Sequence, residues 1–65
     1  TLAKMIERLP LVQQEIVHLR FYEDLSFKEI AQVTNVSINT ALGRMRYATL
    51  HLRQMIEDYS LDLAV

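Results

Sequence analysis

Cysteine is absent from this chain, so neither a disulfide framework nor a cysteine-ligated metal site is open to it. That absence predicts a reducing, cytoplasmic setting. Glycine and proline occur once each among 65 residues, and β-branched residues form no run. Few helix breakers and no strand signal predict an all-α domain. No apolar stretch approaches the roughly 18 residues that a membrane-spanning helix needs, and no leader pattern is present. No membrane partner is therefore expected. His18 and His51 fall on different predicted helices, with no third ligand-type residue at useful spacing. The acids are scattered, with no sign of a buried carboxylate pair for general acid–base work. The composition thus predicts no metal site, no cofactor and no enzyme.

A chain of this length makes one small domain, residues 1–65, near the size at which a single core only just suffices. Hydrophobic residues make up 51% of it, enough to build that core. It begins at Thr1 rather than methionine, which reads as the C-terminal part of a longer chain.

The formal net charge is −1, but the charges are segregated. Residues 30–56 hold Arg44, Arg46 and Arg53 with no acid, a local balance of +3. Residues 57–65 hold Glu57, Asp58 and Asp62 with no base, a balance of −3. Such asymmetry points to an anionic partner more directly than the total does. Charge alone is equally compatible with a solvated basic helix face.

Leu2, Met5, Ile6 and Leu9 recur at helical spacing until Pro10, which cannot continue a helix but suits the first turn of the next. Val12, Ile16 and Leu19 predict the buried face of that second helix, with Val17 and Phe21 flanking. Asp24 stands where it must stop, and aspartate tolerates the left-handed conformation. Ser26 and Glu29 have capping-box spacing, so a short third helix is predicted from about Phe27 to Val33. Asn35 is the next left-handed-tolerant residue, and Ser37 is a good N-cap for a fourth helix.

In that longest helix Ile38, Ala41, Met45, Ala48, Leu52, Met55 and Tyr59 form a narrow apolar stripe. It is predicted to stop between Asp58 and Ser60, leaving residues 60–65 as a frayed tail. Burial is expected at Leu9, Ile16, Leu19, Leu25, Ile30, Ala31, Val36, Ile38, Met45 and Leu52. The third and fourth helices, joined by a tight turn with the basic face on the latter, form a helix-turn-helix. Ala31 is small where the crossing helices approach, Asn35 lies at the turn, and Val36 plugs the core.

The order and spacing of these residues resemble region 4 of bacterial RNA polymerase sigma factors, and within them the extracytoplasmic-function (ECF) group. The likeness rests on Leu9-Pro10, Leu19-Arg20, Leu25-Ser26, Glu29 to Ala31, Val36-Ser37, Thr40, Arg44 and Ala48, and spans residues 9–48. It implies a four-helix domain without a wing that recognises the promoter −35 element. It also implies docking on the flap of the polymerase β subunit, an anti-sigma factor as a further partner, and a monomer. The chain departs from the family pattern at Asp24 and Asn35, where glycine is common. It departs again at Leu42 and Tyr47, where bases are common, and at Gly43, where serine is usual; Arg46 compensates.

With the apolar stripe facing inward, Asn39, Gly43 and Arg46 project from one flank of the fourth helix, and Arg44 and Tyr47 from the other. The N-terminal part of such a helix enters the major groove. Arginine pairs bidentately with guanine there, and asparagine with adenine. Gly43 would let the backbone approach closely. Ser37 and Thr40 lie at the helix start, where free N–H groups favour a phosphate; capping is their other role. Lys28 is a candidate phosphate contact, against a plain solvated lysine. Arg44 either contacts a phosphate or pairs with an acid of the domain. Arg20 and Glu29 read as an ion pair between the second and third helices. Flap docking requires an apolar groove, expected away from Arg46 and lined by the first two helices and the start of the third.

Two other readings stay open. An output domain of the NarL/LuxR response-regulator type shares the four-helix form and a Ser-x-Lys-Glu-Ile-Ala third helix, though Leu9-Pro10 and Arg44-x-Arg46 favour the sigma reading. A sigma-like domain that binds only protein is supported by Leu42 and Leu50 on the outer side of the fourth helix.

Overall fold

The computed structural model describes the backbone of residues 2–64 and the side chains of residues 2–61. Four helices follow one another: α1 (Leu2–Glu7), α2 (Leu11–Val17), α3 (Phe27–Thr34) and α4 (Ile38–Ala64). No strand occurs among the described residues. The breaks fall at Pro10, at the Asp24 corner and at Asn35, where local chemistry demands them.

Each break is satisfied by named groups. After α1, the Gln14 side-chain amide turns back and donates to the carbonyls of Glu7 and Leu9, at 3.0 and 2.7 Å. Helix-end carbonyls without a partner are costly unless wet or capped, so Gln14 closes one helix while belonging to the next. Asp24 and Asn35 both adopt the left-handed conformation, with φ of 56° and 57°. At α3 the capping box forms in full: Ser26 Oγ accepts from the Glu29 amide, and Glu29 Oε1 accepts from the Ser26 amide. The bond from the Ser26 backbone, then that from its hydroxyl, holds the Glu29 carboxyl below its ordinary value. The cap is therefore fully formed above the glutamate range and weakens as acid protonates it.

α2 differs from the amphipathic reading in two ways. Its buried face is Gln13, Ile16 and Val17, whereas Val12 is 48% exposed. The face is rotated because a polar residue takes an inward place: His51 Nδ1–H donates to Gln13 Oε1 at 2.7 Å, tying α2 to α4. Beyond Val17 the chain continues as a π-helical turn, His18–Tyr22, in which the Glu23 amide reaches back to the His18 carbonyl. The expected Arg20–Glu29 ion pair does not form. Arg20 instead donates to the Leu25 carbonyl at 3.0 Å and lies over the Phe27 ring, while Glu29 is held by Ser26. Arg20 thus braces the corner between α2 and α3.

The core is Leu9, Ile16, Val17, Ile30, Ala31, Ala41 and Ala48. Leu19, Leu25, Val36, Met45 and Leu52 are only partly buried around it. Ile38 is 45% exposed rather than buried, since Ala41, one turn on, takes the inward position. Alanines at the α3–α4 crossing let the two backbones approach closely. α4 is helical through Ala64 and does not fray at Ser60. At 27 residues it is about 40 Å long, close to the full 45 Å length of a molecule only 19 × 16 Å across.

Candidate nucleic-acid interface

The exposed start of α4 follows from its cap. Ser37 Oγ accepts from the Thr40 amide at 3.0 Å and donates to Thr40 Oγ1 at 2.9 Å. Both hydroxyls are thereby placed at the helix N-terminus, in solvent, where the dipole favours a negative group. Asn39, Arg46 and Tyr47 are exposed along the next turns, and Lys28 is exposed on α3. Gly43 and Arg44 are half-buried. Among the described residues no acid pairs with Arg44 or Arg46. The eight residues expected to meet a nucleic acid thus all lie on α4 and its cap, save Lys28 on the preceding helix.

Gly43 has no structural reason to be glycine. It lies within a helix, and a Cβ built there meets nothing within 4 Å. Gly43→Ala is therefore expected to stabilise the domain by about 0.5–1 kcal/mol, read as a raised midpoint in thermal or urea unfolding. A loss of stability instead would show that α4 needs glycine for its own conformation.

Two grooves open beside this face. The first, about 490 Å³, is lined by Leu2 and Ile6 of α1, Phe21 and Tyr22 of the π turn, and Leu52 and Ile56 of α4, among others. It is almost wholly apolar and Arg46 does not line it, as flap docking requires. Its walls differ from expectation: α4 supplies one side, and α3 supplies none. Phe21, read from the sequence as flanking the buried face of α2, is 68% exposed, and Tyr22, which sequence reasoning passed over, is 66% exposed. Two adjacent aromatics cannot both face one core from an α-helix, which was the available signal. The second groove, about 440 Å³, lies between the start of α3 and the outer face of α4, with Phe27, Leu42, Leu50, Arg46 and Arg53 around it.

The family described as Sigma-70, region 4 matches residues 1–46. The chain belongs to the sigma-70 region 4 family. It is 37% identical over 54 residues to the RNA polymerase sigma factor SigV of Bacillus subtilis, covering 83% of this chain and 32% of that one. It is 36% identical over 53 residues to the ECF RNA polymerase sigma factor RpoE of Cereibacter sphaeroides, covering 82% of this chain and 29% of the relative. The chain spans about a third of the length of these curated relatives. No solved structure matches it.

As a sigma region 4 domain the chain is a helix-turn-helix of the ECF type, from a family of DNA-binding transcription-initiation proteins rather than enzymes. The family match displaces the response-regulator reading. Among the described residues no helix is long and apolar enough to cross a membrane, and no cluster of ligand-type side chains could hold a metal ion. His18 is instead hydrogen-bonded to Glu23 at 3.2 Å and stacked on Tyr22.

Proposed function

We propose that this region 4 domain reads the promoter −35 element with the first half of α4 and so directs RNA polymerase to its start sites. The observation that carries the reading is the capped, acid-free start of α4, with Asn39, Arg46 and Tyr47 exposed on it. Arg46 reads a base edge bidentately, Asn39 supplies amide hydrogen bonds, and Gly43 admits the DNA backbone. Tyr47 packs on the sugar-phosphate chain. Ser37, Thr40, Lys28 and Arg44 hold phosphates and set the register without reading sequence. In this reading the protein works in the bacterial cytoplasm.

So few bases give the isolated domain weak affinity for a duplex. In the whole factor, docking on the polymerase supplies the rest through effective concentration. The apolar groove between α1, the π turn and α4 is the place for the flap of the β subunit, because an amphipathic helix needs such a slot. An anti-sigma factor covering the same groove would block assembly.

Selection from duplexes randomised over the −35 window, with the full-length factor in holoenzyme, tests the reading. A defined sequence is expected to emerge. Lys28→Ala is expected to select the same sequence but to bind every duplex more weakly. It should also flatten the slope of log affinity against log salt by about 0.9. No enrichment at −35 would overturn the proposal.

A further inference from the structure

The second groove and the far end of α4 complement one another. Phe27, Leu42, Met45 and Leu50 line the groove together with Arg46 and Arg53. Both leucines are close to half exposed. Glu57 and Leu61 continue the same face of α4 beyond the groove, because positions 46, 50, 53, 57 and 61 fall within about 80° around a helix turning about 100° per residue. Leu61 is 66% exposed. Among the described residues neither Arg53 nor Glu57 has an ion-pair partner, although they stand one turn apart. Their order, base before acid, is the less favourable one for a pair within a helix. A face basic and apolar at one end, and acidic and apolar at the other, matches itself when turned end for end.

We propose that this face is an interface between two copies of the chain, paired antiparallel along α4 about a two-fold axis level with Met55. In that register Arg53 faces Glu57 of the partner subunit, and Glu57 faces Arg53 of the partner subunit, as an isologous contact requires. Leu61 of the partner subunit comes level with Thr49 and within one residue's rise of Leu50, at the groove that Phe27 and Leu42 also line. Residues 46–64 give an overlap of roughly 27 Å. Ala41, Ala48 and Met55, which pack against the rest of the domain, lie on the other side of α4. The two bodies therefore stay on the outside of the pair. A contact of this size belongs to the weak, transient class. It departs from the monomer that the family resemblance implies. Arg46 lies within the overlap, so a paired chain cannot present it to DNA. That consequence rests on the proposed −35 reading; the pairing itself does not.

Sedimentation equilibrium of the chain, from about 10 μM to about 1 mM, tests the interface without DNA. The apparent mass is expected to rise from 7.6 kDa towards twice that value. Arg53→Glu sets carboxylates against each other at both symmetric positions, and should weaken pairing by about tenfold or more. Glu57→Arg should do the same, and Arg53→Glu with Glu57→Arg should restore it, with circular dichroism unchanged throughout. A chain that stays monomeric at every concentration overturns the proposal. So does a dimer indifferent to either single change, or a double variant that fails to regain the pairing. Since the readout is mass alone, any of these failures leaves the −35 reading standing.

Discussion

Arg46→Ala, made in the full-length factor, is expected to abolish transcription from the cognate promoter while leaving the helical signal and melting temperature nearly unchanged. The two halves of that result have separate causes. Arg46 is exposed, and among the described residues it makes no hydrogen bond or ion pair. Truncating it therefore removes nothing that holds α4 in place. On DNA, losing a bidentate arginine–base contact costs about 1–3 kcal/mol, a factor of up to about a hundred in affinity. The acid-free stretch has only Arg44 and Arg53 besides, one half-buried and the other two turns further on, so no neighbour substitutes. Run-off transcription beside a thermal melt measures both halves. Normal transcription from a −35-dependent promoter would sink the reading; a collapsed melt would move Arg46 into the scaffold.

Ile30→Ala acts in the opposite way, destroying the fold and the function with it. Ile30 is the largest fully buried side chain among the described residues, and it belongs to the core that α3 shares with residues of α2 and α4. Removing its side chain beyond Cβ costs about 2–5 kcal/mol, through lost burial and the cavity left behind. A domain of this length has roughly 3–10 kcal/mol in total. The chain is thus expected to be largely unfolded at 37 °C, with a urea midpoint lowered by more than half. Leu19→Ala, at a partly buried position, should cost clearly less. Equal losses at the two sites would mean that Leu19 lies as deep in the core as Ile30.

The contrast shows which parts of the structure the sequence states openly. Boundaries were legible wherever a side chain satisfies its own backbone: Ser26 with Glu29, Ser37 with Thr40, and the left-handed Asp24 and Asn35 all behave as their chemistry requires. Periodicity misplaced the face of α2, because pattern reading assigns polar residues outward. Gln13 sits inside only because His51, 38 positions later, supplies its partner. The same blindness to distant partners produced the Arg20–Glu29 pair. Phe27 and the Leu25 carbonyl were the better partners for that guanidinium, and neither carries a charge to notice. Along α4 the exposure of Asn39, Arg46 and Tyr47 was legible from wheel geometry alone, since an exposed helix face needs no knowledge of the rest of the fold. The apolar groove was not, because α4 forms one of its walls only after the helices have packed.

The π-helical turn at His18–Tyr22 bears on how such a chain changes over generations. A π turn takes up one residue more than an α turn of similar rise. Loss of one codon within it would let the backbone close ordinary i→i−4 bonds there. The buried face of Gln13, Ile16 and Val17 lies before the turn, and the Asp24 corner lies after it, so neither would be thrown out of register. The residues redirected would be Phe21 and Tyr22, and with them the wall of the apolar groove. Insertions and deletions at this spot therefore redraw the apolar groove while the exposed start of α4 stays as it was. Lineages can retune the two surfaces independently.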